Sequence, residues 1–198
     1  TRAALRALPI AAEGEPRIDP DWGEEALSPA ERVYGWNAFA VLAMLSGDPD
    51  APVGAIAGRA RATCQIRYVL GTDPDDLMPA LRRHLDARGF ASVTATRRGS
   101  GFFKATRLPI DHPWVAFVAD SIRRTTGEPP HITPNLAGSL PNDVFSEILG
   151  LPTIWIPHSY MGCSQHAPNE HVLKSVCREG LEAMAGLYWD LGEGAPIP

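Results

Sequence analysis

A histidine that could bind a metal ion, His166, lies between two patterns that predict different secondary structures. The apolar, β-branched residues 153–156 before it predict a short buried strand. After it, Pro168 precedes a long helical pattern, with Asn169 suited to the N-cap and Glu170 to the first turn. Ligands of open α/β sheets bind where strands end and helices begin. A neutral imidazole there is a common metal ligand, although a lone loop histidine can also simply hydrogen-bond to its own turn.

The stretch around this histidine resembles a known family. A strand, a small-residue loop and then His-Ala-Pro-Asn-Glu-His opening the last helix are similar to the final metal-ligand motif of the M20 metallopeptidases. That family includes enzymes of the acetylornithine deacetylase, succinyl-diaminopimelate desuccinylase and carboxypeptidase G2 type. The resemblance extends upstream through Gly-Ser-Leu-Pro-Asn-Asp at 138–143 and reaches back to about Tyr34. It therefore covers most of the chain, in the order and spacing of the family.

The resemblance implies zinc chemistry of which this chain supplies only a part. His166 is expected to be one ligand of a two-metal site that activates a bridging water. This chain has no counterpart of the family's other ligands, which include a His-x-Asp motif, a bridging Asp and a Glu-Glu pair. Glu24-Glu25 matches the Glu-Glu pair in residue type only, because it lies in a Pro/Gly-rich loop. No catalytic residue is therefore assigned. Because the chain also opens at Thr1, we expect a carboxy-terminal fragment that is inactive without its amino-terminal half.

Three further residues are candidates for substrate binding. By resemblance, Arg67 reaches a substrate carboxylate, which a planar guanidinium can hold through two hydrogen bonds; otherwise it is a solvated strand residue. Ser139 and Asn142 flank a loop before a predicted helix, where backbone N–H groups and a hydroxyl can bind an anion. The alternative for Asn142 is an N-cap of the helix at Asp143.

The order of the helices and strands that would position these residues predicts an α/β fold with two parts. By resemblance, the first is a partial lid, or dimerisation, domain of β-β-α-β order, with strands at 34–45, 60–70 and 91–97 and a helix at 75–88 that stops at Gly89. The second is the carboxy-terminal α/β segment of a zinc-peptidase-like catalytic domain, for which alternating helices and strands predict a parallel sheet. Its strands are expected at 131–136 and 153–156, and its helices at 111–127, 143–149 and 170–191. The predicted division of the chain is an irregular lead-in at 1–33, the partial lid domain at 34–98, a crossover at 99–110 and the catalytic part at 111–198.

The composition of the chain argues against some classes of binding partner and some cellular locations. A net charge of −5 argues against nucleic acid, which needs a basic face, and no apolar run predicts a membrane span. Three widely spaced cysteines, Cys64, Cys163 and Cys177, make a disulfide framework improbable and favour the cytoplasm.

The resemblance predicts a metal-dependent hydrolase that acts on amide or carbamoyl bonds of N-acyl amino acids or small peptides, with zinc as cofactor. It also predicts a homodimer formed through the lid domain. The alternative, in view of the missing ligands, is a non-catalytic dimerisation or interaction module.

Overall fold

The computed structural model describes residues 1–10, 17–99, 102–136 and 138–194. In chain order its regular elements are α1 (Arg2–Arg6), α2 (Pro29–Gly35), β1 (Ala38–Ser46), β2 (Ala60–Arg67), α3 (Leu77–Ala87), α4 (Pro113–Thr126) and α5 (Lys174–Gly194). A π-helical turn at Val144–Ile148 and a short 3₁₀ turn at Met161–Cys163 lie between α4 and α5. None of the helices in the described ranges is long and apolar enough to cross a membrane.

The chain forms two compact units. One contains Thr1–Gly35 together with Thr106–Pro198, and the other contains Trp36–Ala105. The assignment of these parts to lid and catalytic domains remains a prediction. Residues 11–16 of the predicted lead-in and residues 100 and 101 of the predicted crossover lie outside the described residues.

The first unit begins with two short helices that are joined through Glu31. As the sequence Ser-Pro-Ala-Glu indicates, α2 starts with a capping box: the Ser28 backbone N–H donates to Glu31 Oε2 at 2.8 Å, and the Glu31 N–H donates to Ser28 Oγ at 3.4 Å. The Glu31 carboxylate is also paired with Arg2 and Arg6 of α1. The capping box satisfies two backbone N–H groups at the start of this seven-residue helix.

The core of the first unit lies between α4 and α5. The helix predicted at 111–127 forms as α4, which begins two residues later, at Pro113, and is followed by Gly127; the His112 ring accepts a hydrogen bond from the Trp114 N–H, and Gly127 has a φ of 84°. The two helices bury Val118, Ala183 and Leu187; full burial of a valine or leucine side chain contributes about 1.5–3 kcal/mol.

At one edge of this interface, Arg124 of α4 bridges to Asp190 of α5 at 2.7 Å. The buried Ser121 hydroxyl and the Arg124 guanidinium lower the pKa of Asp190, although the hydroxyl makes no hydrogen bond of standard geometry. The two helices are therefore joined by a polar edge as well as by an apolar centre.

The second unit is organised around an antiparallel pair, β1 and β2, in which Ala38 lies opposite Arg67 and Ser46 opposite Ala60. The register shifts by one residue between Val41 and Ala43, which is a β-bulge. β2 lies within the predicted range 60–70, whereas β1 begins inside the range 34–45 and ends one residue beyond it, at Ser46. Apolar side chains of β1 are largely exposed to solvent: Phe39, Val41, Leu42, Met44 and Leu45.

Helix α3 ends as its sequence predicts, and the segment after it does not form the predicted strand. Gly89, with a φ of 78°, donates to the Asp86 carbonyl, and the Phe90 N–H donates to the Leu85 carbonyl at 2.8 Å, which is a Schellman motif. The Arg82 guanidinium then binds the carbonyls of Phe90 and Val93. These groups are thus satisfied by the helix, and the strand predicted at 91–97 does not form in the described residues. The order β-β-α-β is not reproduced.

The predicted parallel sheet is also wrong for the described residues, in which the two-stranded antiparallel sheet stands alone. Neither residues 131–136 nor residues 153–156 belong to a ladder. Parallel strands occur in sheets covered on both faces, whereas the Trp155 side chain is 52% exposed. An apolar, β-branched run predicts extended backbone, but a strand also needs a hydrogen-bonding neighbour, and the described residues provide none.

Much apolar surface is left uncovered. The chain exposes 14,958 Å², whereas two separate folded domains of these sizes would together expose about 11,000 Å². Ile56 and Val53, in the connection between β1 and β2, are 99% and 78% exposed, and Leu181 of α5 is 74% exposed. Apolar surface in this excess is suited to covering by other protein segments.

Candidate functional site

The loop that carries His166, residues 159–171, is closed on itself by contacts between its two ends. The His171 backbone N–H donates to the Cys163 carbonyl at 3.0 Å, and the Tyr160 hydroxyl lies 2.6 Å from His171 Nε2. Cys163 is buried and anchors the loop, and its thiol accepts a hydrogen bond from the Ser159 hydroxyl at 3.2 Å. Compact loops with adjacent ends are frequently functional.

The backbone of this loop is unusual. Ser164, His166 and Asn169 have φ angles of 59°, 62° and 64°, and these are the non-glycine residues with positive φ in the described chain. Histidine and asparagine tolerate the left-handed region better than most residues. Such conformations cost about 1–3 kcal/mol each and cluster at functional sites.

This backbone also corrects the predicted start of the last helix. Asn169 is left-handed and therefore cannot serve as the extended N-cap expected of it. The His171 N–H bonds back to the loop, so that α5 begins at Lys174, four residues after the predicted Glu170. The Glu170 carboxylate instead accepts a hydrogen bond from the His166 N–H at 3.4 Å.

The His166 side chain is exposed. An exposed imidazole held on a closed loop fits the role of one metal ligand. It does not make a complete site: the described residues hold no group of three or more His, Cys, Asp or Glu side chains arranged to bind a metal ion. Glu24 and Glu25, the adjacent glutamates of the lead-in, are exposed in the segment before α2 and belong to no such group.

The structure uses Asn142 to connect two segments of the first unit. Its amide nitrogen donates to Thr106 Oγ1 at 2.6 Å, and its amide oxygen accepts from the Trp155 indole N–H at 2.9 Å. It is not the N-cap of the following turn, a position taken by Asp143. Ser139 is exposed in the preceding loop. Whether either residue contacts a substrate remains a prediction.

Arg67 lies in the other unit, at the end of β2, with its side chain exposed and its Nε donating to Gln65 Oε1 at 3.3 Å. Its proposed contact with a substrate carboxylate also remains a prediction. The contacts of Tyr160 and His171, by contrast, were not foreseen from the sequence, because residues eleven positions apart in an irregular loop follow no periodic pattern.

No family model matches the chain, and no curated protein matches it. Several solved structures, in contrast, match the chain. An M20 family metallo-carboxypeptidase from Sulfolobus solfataricus superposes with a TM-score of 0.67 at 21% identity, over 94% of this chain and 43% of its own. The dipeptidase Dug1p from Saccharomyces cerevisiae gives 0.65 at 18% identity, over 84% and 36%. Human carnosine dipeptidase 1 gives 0.67 at 17% identity, over 97% and 42%.

These likenesses confirm the M20 resemblance at the level of the fold. The chain spans less than half of each structure that it matches. The similar TM-scores do not separate the branches of the family.

Proposed function

We propose that this chain is part of an M20-like metal-dependent hydrolase that cleaves amide or carbamoyl bonds of N-acyl amino acids or small peptides. The observation that carries the proposal is the fold match to an M20 metallo-carboxypeptidase over nearly the whole chain. The strained, closed loop around His166 supports it, because its sequence resembles the family's last metal-ligand motif.

In this proposal His166 supplies one zinc ligand, and Arg67 and Ser139 orient the substrate. The metal, once bound, would polarise the scissile carbonyl and lower the pKa of a bound water. The guanidinium of Arg67 offers two parallel hydrogen bonds to a carboxylate, and the Ser139 hydroxyl can donate to a polar substrate group. Asn142, also predicted to bind substrate, would act from a side chain that is already held by Thr106 and Trp155.

The chain alone is proposed to be inactive, because the described residues lack a metal-binding cluster and a general base next to one. The exposed apolar side chains support this part of the proposal, because the remainder of a catalytic domain could pack against them. Zinc-dependent hydrolysis of N-acyl amino acids by the pure chain would overturn this part of the proposal.

A zinc titration followed by histidine NMR signals tests the metal role. We expect zinc to shift the ring signals of His166 before those of the other five histidines, and His166→Ala to abolish this first phase. His84→Ala is the matched control, because His84 is an exposed histidine of α3 in the other unit. A first phase that persists in His166→Ala would refute the assignment.

The second candidate function is a dimerisation or interaction module without catalysis. The exposed apolar side chains of β1, in a sheet whose outer edges are unpaired in the described residues, favour it. A homodimer through this sheet is compatible with either function. The two functions are distinguished by whether His166 binds zinc.

A further inference from the structure

We propose that Tyr160 and His171 are positioning residues that hold the loop 159–171 in the conformation that presents His166. The benefit of holding His166 in place rests on its proposed metal role, whereas the contacts that hold the loop do not depend on that role. The Tyr160 hydroxyl lies 2.6 Å from His171 Nε2, and His171 Nδ1 lies 2.9 Å from the Asn169 carbonyl oxygen. Together these contacts join the two ends of the loop to its left-handed residue Asn169.

The direction of these hydrogen bonds follows from the chemistry of the groups. A backbone carbonyl can only accept, so His171 Nδ1 must carry the proton. In a neutral imidazole Nε2 is then an acceptor, and the Tyr160 hydroxyl is its donor. The assignment is made from the hydrogen-bond network, and it predicts a defined tautomer for His171.

The loop needs such a restraint because three of its residues have left-handed backbone. Conformations of this kind persist only where their surroundings hold them in place. His171 is tied at two points to the start of the loop, through its backbone to Cys163 and through its ring to Tyr160. His166 lies between these tied ends, and its backbone N–H is the donor to Glu170.

The start of the loop is itself anchored on α5. The His158 ring packs so closely on Gly180 that a Cβ there would lie 2.5 Å from His158 Nδ1. Tyr160 therefore extends from a segment that is packed against α5, and its hydroxyl can restrain the position of the His171 ring.

The phenol and the imidazole also contact each other as rings, with centroids 5.9 Å apart and an interplanar angle of 72°. Tyr160→Phe keeps this ring contact and removes only the hydroxyl, so it isolates the hydrogen bond. Tyr188→Phe is the matched control, because the Tyr188 side chain is 69% exposed on α5 and lies outside the loop.

The test uses NMR of the full chain without added metal. We expect wild-type His171 to show a protonated Nδ1 and an unprotonated Nε2. In Tyr160→Phe we expect a mixture of tautomers, amide exchange at His171 at least tenfold faster, and loss of the left-handed chemical-shift signature at His166. Tyr188→Phe should leave all three unchanged. A wild-type tautomer and exchange rate in Tyr160→Phe would overturn the proposal.

A zinc titration then separates this proposal from the proposed function. If Tyr160→Phe weakens the zinc response of the His166 ring about tenfold, positioning is supported. If zinc leaves His166 unshifted in the wild-type chain, the metal role fails, while the tautomer and exchange measurements still decide the role of the pair. His171→Asn serves as a second variant should Tyr160→Phe not fold, and it too should accelerate exchange in the loop.

Discussion

The side-chain amide oxygen of Asn142 accepts a hydrogen bond from the indole N–H of Trp155, while its amide nitrogen donates to Thr106. One half-buried amide thus connects three segments that are distant in sequence. The relationship gives a predicted substrate-binding residue a second, structural role, and the two roles can be separated by experiment.

Asn142→Ala should destabilise the chain by about 1–3 kcal/mol, because it removes two hydrogen bonds that each contribute roughly 0.5–1.5 kcal/mol. Chemical denaturation followed by tryptophan fluorescence measures the loss. Ser139→Ala, at an exposed position three residues earlier, should change stability by less than about 0.5 kcal/mol. Equal effects of the two substitutions would contradict the structural role of Asn142.

Stability should fall at acid pH through Glu31. Backbone and side-chain hydrogen bonds from Ser28, with those from Arg2 and Arg6, lower the pKa of Glu31 from 4.5 to about 2. A depressed folded-state pKa means that the contribution is present above the unfolded pKa and is lost as the pH falls through the folded one. The loss should therefore run from about pH 4.5 to pH 2.

Thermal unfolding of Glu31→Gln between pH 2 and pH 6 checks this. The variant should have a lower Tm than the wild type at pH 6, and the difference should shrink towards pH 2. Glu25→Gln, at an exposed position of the same segment, is the control and should follow the wild-type curve. A constant difference between Glu31→Gln and the wild type across this range would show that the carboxylate charge does not stabilise the α1–α2 pair.

Helix α5 contains two glycines for which opposite effects of alanine are expected. A Cβ at Gly186 would overlap Thr125 of α4, whereas a Cβ at Gly192 meets nothing within 4 Å. Rotation of the Thr125 side chain does not relieve this overlap fully, because the Thr125 Cβ itself would lie 3.1 Å from the added carbon. Gly186→Ala should thus lose roughly 1–3 kcal/mol from overpacking, less what alanine gains in a helix.

Gly192→Ala should instead be neutral or stabilising by up to about 1 kcal/mol, because alanine restricts the unfolded chain and favours helix. Urea denaturation of both variants measures the contrast. If Gly186→Ala proved as stable as Gly192→Ala, the close approach of α4 and α5 at Thr125 would be wrong.

The proposed homodimer makes a prediction for β1. Met44 is 73% exposed on this strand, and a lysine there would place a charge in an interface formed by the sheet. Met44→Lys should weaken dimerisation at least about tenfold, or 1.4 kcal/mol, as measured by sedimentation equilibrium. Leu181→Lys, at a 74% exposed position of α5 in the other unit, should leave the dimer intact. A wild-type chain that is monomeric at all concentrations would refute the dimer.

The sequence by itself determined the features that depend on neighbouring residues. The capping box at Ser28, the ends of α3 at Gly89 and of α4 at Gly127, and the strands around Phe39 and Cys64 all follow from local patterns, because caps and amphipathic periodicity act over a few residues. The motif around His166 likewise indicated a fold that the solved structures confirm.

The tertiary structure decided what depends on distant partners. Residues 91–97 and 153–156 have the composition of strands, yet a ladder needs a neighbouring strand, and none pairs with them in the described residues. In the first segment the Val93 carbonyl is bound by Arg82 instead. The left-handed backbone at His166 and the contact of Tyr160 with His171 also arise from loop closure. No local propensity encodes them, because the groups that satisfy one another meet only after the chain has folded.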